Sequence, residues 1–357
     1  MTGDRLAFDA MAVAPEEWAT VQGLAVAHRV LPLIRPLLPA TIAPIDADLA
    51  RGDALRALVA TQTLRTLMAA IASAGVPALA WKGPALAVQA WRDPSLRVFS
   101  DLDIVVPHDA RDDARAAVLA LGWTPRHAMS RAQERAIFDG LAAWEFHGDA
   151  EPGLLELHWE FSARRYAGRL PVRDVLQRAT NVALAGTLIP VPCMADTLAL
   201  LAQHATKHGW SSLEDVAVFA ALAQREPRAL VAAHERAQSN GGGRCVRLGA
   251  ALIARALELP LPSELAGAVG ADPTIPSLVA TVEERWRLGE TAWRPPLRWD
   301  LAWTERSGDR ARLLARATFD PTLQEWNAVQ LPDALVGLYP VLRPFRRAWT
   351  AVRGARD

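Results

Sequence analysis

Between Val76 and Pro107 the chain reads VPALAWKGPALAVQAWRDPSLRVFSDLDIVVP, and this stretch limits the possible folds more than any other. PALAW is a short apolar run of the kind that forms a buried strand. Lys82-Gly83-Pro84 then turns the chain, and Pro84 suits the first position of a helix because its fixed φ is already helical and its missing N–H has no partner there. PALAVQAW is that helix, and Asp93-Pro94-Ser95 breaks it. DLDIVVP is rich in β-branched residues and is closed by Pro107, so it reads as a second strand. A strand, a glycine turn, a helix and an acidic strand within about 30 residues require a small sheet with a helix against it.

The flanking sequence has a different texture. Ala and Leu dominate, punctuated by Pro and Gly, and most of it reads as helix. Several helices are expected from Pro15 to about Ser73, the last of them in ADLARGDALRALVATQTLRTLMAAIASAG, which ends at Gly75-Val76-Pro77. After the acidic strand, ARDDARAAVLALGW is an amphipathic helix. AAWEFHG and GLLELHWEF read as two strands of a hairpin joined by Asp149-Ala150-Glu151-Pro152, and TLIPVP as a further short strand. From Met194 the chain returns to helix in MADTLALLAQHATKHGW, LEDVAVFAALAQ and CVRLGAALIARALELPL, with NGGGR at residues 240–244 as a flexible break. The expected fold is therefore α+β: a small mixed-sheet core over residues 73–192, a helical region over 1–72 and a helical domain over 193–357.

Composition removes several function classes. With 39 basic and 39 acidic residues the formal net charge is zero, so no whole-chain field attracts nucleic acid, and a long nucleic-acid partner is not expected. Two cysteines, Cys193 and Cys245, are too few for a disulfide framework or a Cys-rich zinc site. The N-terminus carries acids and no long apolar run, so it does not read as a signal peptide. No stretch reaches the roughly 20 apolar residues that span a bilayer. A cytoplasmic enzyme is the simplest expectation.

Only two lysines, Lys82 and Lys207, stand beside 37 arginines. In so Arg-biased a chain, they mark places where a compact ammonium serves and a planar guanidinium does not. Lys82 lies in the glycine turn. In DLDIVV, side-chain alternation puts Asp101, Asp103 and Val105 on one face and Leu102, Ile104 and Val106 on the other. The two acids then stand about 6–7 Å apart along the strand. That suits two divalent cations about 3.5–4 Å apart, or one shared cation. Gly83 lets the backbone approach a phosphate, the following helix presents its N-terminus, and Lys82 and Arg97 supply positive charge. In LLELHWEF, Glu156 and His158 share a face with Leu154 and Glu160, opposite Leu155, Leu157, Trp159 and Phe161. Glu156 is a third metal ligand or a proton acceptor, and His158 a proton carrier, ligand or substrate contact. Glu145 and His147 repeat the pattern on the partner strand, where cross-strand pairing is the simpler role.

These residues resemble the nucleotidyltransferase superfamily with a DNA-polymerase-β-like core, and in particular a bacterial branch of uncharacterised nucleotidyltransferases. The likeness rests on Lys82-Gly83, Arg97, Ser100-Asp101-Leu102-Asp103, Glu156-Leu157-His158-Trp159, His204 to Trp210 and LPDALVGLYPVLRP. It implies Asp101, Asp103 and Glu156 as magnesium ligands, with two Mg²⁺ ions. Lys82, Gly83, Arg97 and Ser100 would lie on the nucleotide phosphates. The implied reaction moves a nucleoside monophosphate from a nucleoside triphosphate (ATP or another) to a hydroxyl of a small molecule, peptide or protein. One departure stands out. The superfamily turn is usually Gly-Gly or Gly-Ser, whereas Pro84 follows Gly83 here and removes an N–H. It favours the alternative of a catalytically degenerate nucleotide-binding or adaptor protein. A peptide-tailoring enzyme of a biosynthetic cluster is a third reading.

In the helical half, His204, Lys207 and His208 recur at i, i+3 and i+4 and share a helix face. They read as a basic cluster facing phosphate or substrate, as a metal pair without the Glu of HExxH, or as packing residues paired to Asp215. Five Trp between Trp286 and Trp326 are read as core, with base or sugar stacking as the alternative. The basic end RPFRRAWTAVRGAR is read as a solvated tail.

Overall fold

The computed structural model describes residues 17–37, 43–149, 152–291, 293 and 295–354. The N-terminal residues weighed as a signal peptide fall mostly outside this set, as do residues 150 and 151 of the hairpin loop. The fold is α+β, as the sequence indicates. A five-stranded sheet has the order β1 (Leu79–Trp81), β2 (Leu102–Val105), β5 (Leu154–His158), β4 (Ala143–His147) and β3 (Thr124–Pro125). All neighbours are antiparallel except β2 and β5, which run parallel with Asp103 opposite Glu156 and Val105 opposite His158. That pairing sets the two acid-bearing strands side by side.

The alternation read from the sequence holds. Leu102, Ile104, Leu155 and Leu157 are buried with Leu64, Leu67 and Ile71 of the long helix Ala43–Ser73. Leu79, Trp81 and Val105 join a different core with Leu198, Phe219 and Leu248 of the C-terminal helices. The sheet is thus packed by helices on both sides, which explains the full burial of β1 and β2. Residues near the C-terminus return to the sheet: Trp326 and Tyr339 lie in the core of the long helix.

Three local readings are revised. TLIPVP forms β7 (Thr187–Val191), and its partner β6 (Thr180–Leu184) was not anticipated. Ala185 and Gly186 both have positive φ, as a two-residue hairpin loop requires, but Ala-Gly lacks the usual Asn-Gly or Asp-Gly signature. The helix Arg131–Leu141 was also missed, although Ser130 and Gln133 form a capping box at its start. NGGGR is not a flexible break. Gly241, Gly242 and Gly243 are buried, the helix Gly243–Ala256 starts among them, and a Cβ on Gly242 would lie 2.8 Å from Gly168 Cα. The glycines there permit close backbone packing.

Candidate active site

β1 ends at Trp81, and Lys82 follows with φ 60° and ψ −142°, a conformation that non-glycine residues adopt at a cost of about 1–3 kcal/mol. Gly83 also has positive φ, and with Pro84 it starts the helix Gly83–Trp91. The strained turn delivers the Lys82 ammonium to Asp103 on the neighbouring strand, with Nζ 3.1 Å from Oδ1. His158 reaches the same oxygen from the other side, its Nε2 at 2.9 Å, and lies 3.1 Å from Glu156 Oε2. Two cationic groups thus crowd onto one carboxylate oxygen. Asp103 Oδ2 is buried and has no hydrogen-bond partner.

The charges stabilise one another. Burial disfavours charge on Asp103, but Lys82 and the hydrogen bond with His158 outweigh it and hold its carboxyl well below the usual range. Burial likewise opposes a charged His158, yet its bonds to Asp103 and Glu156 raise it to about 9, so it is an imidazolium at neutral pH. Lys82 is raised too, because Asp103, Asp101 and Glu156 overcome its burial. Asp101 sits one residue before β2, only partly buried, and its carboxyl is raised by burial and by the neighbouring Asp103 charge. One ligand atom each from Asp103, Glu156 and His158 lie within 4.8 Å of one another, a spacing able to hold a metal ion, with the two carboxylates as its ligands while His158 keeps its proton.

Glu156 and His158 open onto a cleft of about 420 Å³ whose opposite wall carries His204, Lys207 and His208. Both lysines of the chain line this one cleft. The helix Met194–Lys207 supplies that wall, and the residues after it explain the shape. Trp210 is fully buried and donates from Nε1 to Thr206 Oγ1 at 3.0 Å, and Trp299 Nε1 donates to the Thr206 carbonyl at 2.7 Å. Gly209 has φ +68° and lies under Trp293, where a Cβ would come within 2.3 Å of the indole. Burial drives the three basic groups towards neutrality: His204 far below its ordinary value, His208 to about 3 and Lys207 to about 8, the nearby positive charges adding to the effect. Asp215 does not pair with Lys207 or His208 among the described ion pairs; burial and the Glu214 charge raise its carboxyl to about 6.

The other sequence candidates are dispersed. Arg97 is turned to Glu214, with Nε 3.6 Å from Oε1, and Ser100 is exposed beside Asp101. Gly83 and Pro84 are buried, and Gly83 lies against Leu102 and the Asp101 carbonyl. Glu145 sits opposite Glu156 and pairs with Arg126 at 2.8 Å. Glu160 and Phe161 leave the strand alternation because β5 ends at His158; Glu160 pairs with Arg169. The Trp-rich stretch mostly packs, with Trp299 and Trp303 buried, but Trp293 lines the cleft. Sequence reading missed Ser162, Arg165 and Asp300, which also line it. Ser162 Oγ and Arg165 Nε are buried without hydrogen-bond partners.

A family model described as uncharacterised nucleotidyltransferase matches residues 14–258. The chain belongs to that family. It is accordingly a transferase. Among solved structures, the solution structure of the antibiotic-resistance factor ANT(2″)-Ia is similar, with a TM-score of 0.36 and 13% identity, over 56% of this chain and 94% of that one. No curated protein gives a significant match. The family match contains the whole acidic cluster and the basic helix wall, and it ends before Trp293 and Asp300. Among the described residues no single helix is long and apolar enough to cross a membrane.

Proposed function

We propose that this nucleotidyltransferase is Mg²⁺-dependent and moves a nucleoside monophosphate from a nucleoside triphosphate to the hydroxyl of a small molecule, peptide or protein, releasing pyrophosphate. The observation that carries this reading is the bare Oδ2 of Asp103, a buried carboxylate oxygen left without a partner beside Glu156 and His158. A buried acceptor of this kind is costly unless a ligand completes it. The donor set fits a hard divalent cation, being mainly carboxylate oxygen.

Asp103 would hold the cation with Glu156 and Asp101. When bound, Mg²⁺ neutralises phosphate charge and fixes the phosphoryl group for in-line attack. Lys82 keeps Asp103 ionised and places a positive charge at the same end of the cleft. Glu156, the most exposed member of the triad of acids and imidazole, is alternatively the acceptor of the attacking hydroxyl's proton if Asp101 and Asp103 alone hold the cation. The acceptor oxygen bonds to the α-phosphorus as the bond to the bridging oxygen breaks, and the electron pair leaves with pyrophosphate. Lys207 and His208 face the substrate from the opposite wall, and His204 supports them. Arg97 lies 3.6 Å from Glu214 and does not line the cleft, so its expected role on a phosphate is not part of this proposal.

The alternative of a nucleotide-binding protein without catalysis is favoured by one observation: Lys82 and His158 already neutralise Asp103, so a cation must compete with them. Calorimetric titration with ATP, GTP, CTP and UTP, with and without Mg²⁺, tests the proposal. Metal-dependent binding that is lost in Asp101→Asn and Asp103→Asn supports it. Binding that ignores both the metal and the substitutions contradicts it, and binding without pyrophosphate release favours the alternative.

A further inference from the structure

Next to the cleft lies a smaller pocket of about 250 Å³, lined by Arg165, Arg343, Arg346 and Arg347 together with Asp300 and Gln324. We propose that this arginine pocket holds an anionic group, a carboxylate or a phosphate, of the acceptor molecule; the assignment to an acceptor rests on the nucleotidyl-transfer reading above. Arg165 and Asp300 line both cavities, so the two are adjacent. The pocket is smaller than the 300 Å³ or more usual for a whole ligand, and so suits one end of a molecule whose other end lies in the cleft.

The guanidinium groups are held in place before any ligand arrives. Arg343, Arg346 and Arg347 recur at i, i+3 and i+4 on the helix Tyr339–Gly354 and share a face. Buried Glu325 accepts from Arg343 at 2.9 Å and from Arg346 at 2.5 Å. Arg347 Nη1 donates to the neutral Ala317 carbonyl at 2.8 Å, and Arg165 Nη2 to the Tyr166 hydroxyl at 2.7 Å. Among the described residues, Glu325 accepts from two of these four guanidiniums, and Asp300 lines the pocket beside them. Arg165 Nε, buried on the wall common to both cavities, has no hydrogen-bond partner. Planar guanidiniums in excess over carboxylates recognise oxyanions, often in bidentate fashion.

The acceptor is favoured over the nucleotide for two reasons. Lys82, Glu156 and His158 line the cleft but not this pocket, so a group held here lies away from the metal cluster. In addition, Arg343, Arg346, Arg347 and Asp300 follow residue 258, where the family match ends, whereas the acidic cluster lies within it. Of the pocket's arginines only Arg165 falls inside the matched residues, so the pocket is built mainly outside the region that carries the acidic cluster.

The test uses full-length wild type, Arg347→Gln, Arg165→Gln and Asp103→Asn. Inorganic phosphate and acetate binding are followed by NMR, and Mg-ATP binding by calorimetry. Arg347 is exposed, so its replacement leaves folding intact. The expected result is that anion affinity falls about tenfold in both Arg variants and is unchanged in Asp103→Asn, while Mg-ATP affinity in Arg347→Gln stays near wild type. Anion binding that survives both Arg substitutions, or is lost in Asp103→Asn, overturns the site. Equal weakening of Mg-ATP in Arg347→Gln overturns the acceptor assignment and makes the nucleotide the occupant. If Mg-ATP binds none of the proteins while the anions behave as expected, the pocket stands and the nucleotidyl-transfer reading, with its acceptor, falls.

Discussion

Asp103 and Asp196 are both buried carboxylates set between two cationic side chains, yet they are completed differently. Asp196 receives Arg178 through Nε at 2.9 Å and Nη2 at 3.2 Å, and Arg236 through Nη1 at 2.9 Å, while the Cys193 thiol donates to Oδ2 at 3.4 Å. Both of its oxygens are used. Asp103 has Lys82 and His158 on one oxygen and nothing on the other. Arginine forks close a carboxylate on two sides, whereas a point-like ammonium and a single imidazole N–H leave room. The first arrangement locks the start of the helix Met194–Lys207 to its neighbours. The second leaves one carboxylate oxygen buried and unpaired, the feature on which the proposed cation site rests. That both lysines line the cleft, in a chain with 37 arginines, follows the same division.

The comparison can be broken at either end. The largest effect is expected from Asp196→Ala, which leaves two guanidiniums facing a buried void and should cost about 3–5 kcal/mol in chemical denaturation. Asp103→Asn also strips Lys82 and His158 of a counter-charge and should lower the melting temperature, but less than Asp196→Ala because Asn keeps the volume and an accepting oxygen; it should lose about 100-fold in metal-dependent nucleotide affinity, ~2.7 kcal/mol. If the two variants show the reverse pattern, the roles are misassigned. Lys82→Arg should cost about tenfold in the same affinity, because a fork can reach Oδ2 and close it; an affinity equal to wild type would show that the lysine is not required as such.

The smallest effect concerns acid stability in a second arginine network. Burial works against the Asp272 charge, but hydrogen bonds from Arg244, the Thr274 backbone and Arg247 hold its carboxyl down to about 2. The folded value lies below the unfolded one of about 3.9, so its stabilisation is complete above about pH 4 and is lost as pH falls towards 2. Urea midpoints at pH 5 and pH 3 should therefore differ less in Asp272→Asn than in wild type; an identical difference in both would remove this contribution.

Much of the acidic half of the site was legible because short-range rules govern it. Lys82-Gly83-Pro84 announces a turn, and strand parity puts Asp103, Glu156 and His158 on the same face of the sheet. Parity does not say where a strand begins, and Asp101 lies just outside β2. Nor does it choose partners: His158 bonds Asp103 because β2 and β5 pair in parallel register, a long-range outcome. The far wall was legible only as a helix face. Arg165 and Asp300 reach the cleft through tertiary packing and nothing in their local sequence marks them, while Trp293 was one of five Trp that the sequence could not sort between core and cleft. The buried glycine turn at residues 240–244 was misread for the same reason, since its tight contact with Gly168 is set by folding and not by composition.

The central claim is that Asp103 Oδ2 awaits a divalent cation. Calorimetric titration of Mn²⁺ into the wild-type protein and Asp103→Asn tests it most directly, with Asp196→Asn as the comparison below its melting temperature. Saturable binding in wild type and Asp196→Asn, absent from Asp103→Asn, is the predicted result. Binding of equal strength in Asp103→Asn and wild type would contradict the account.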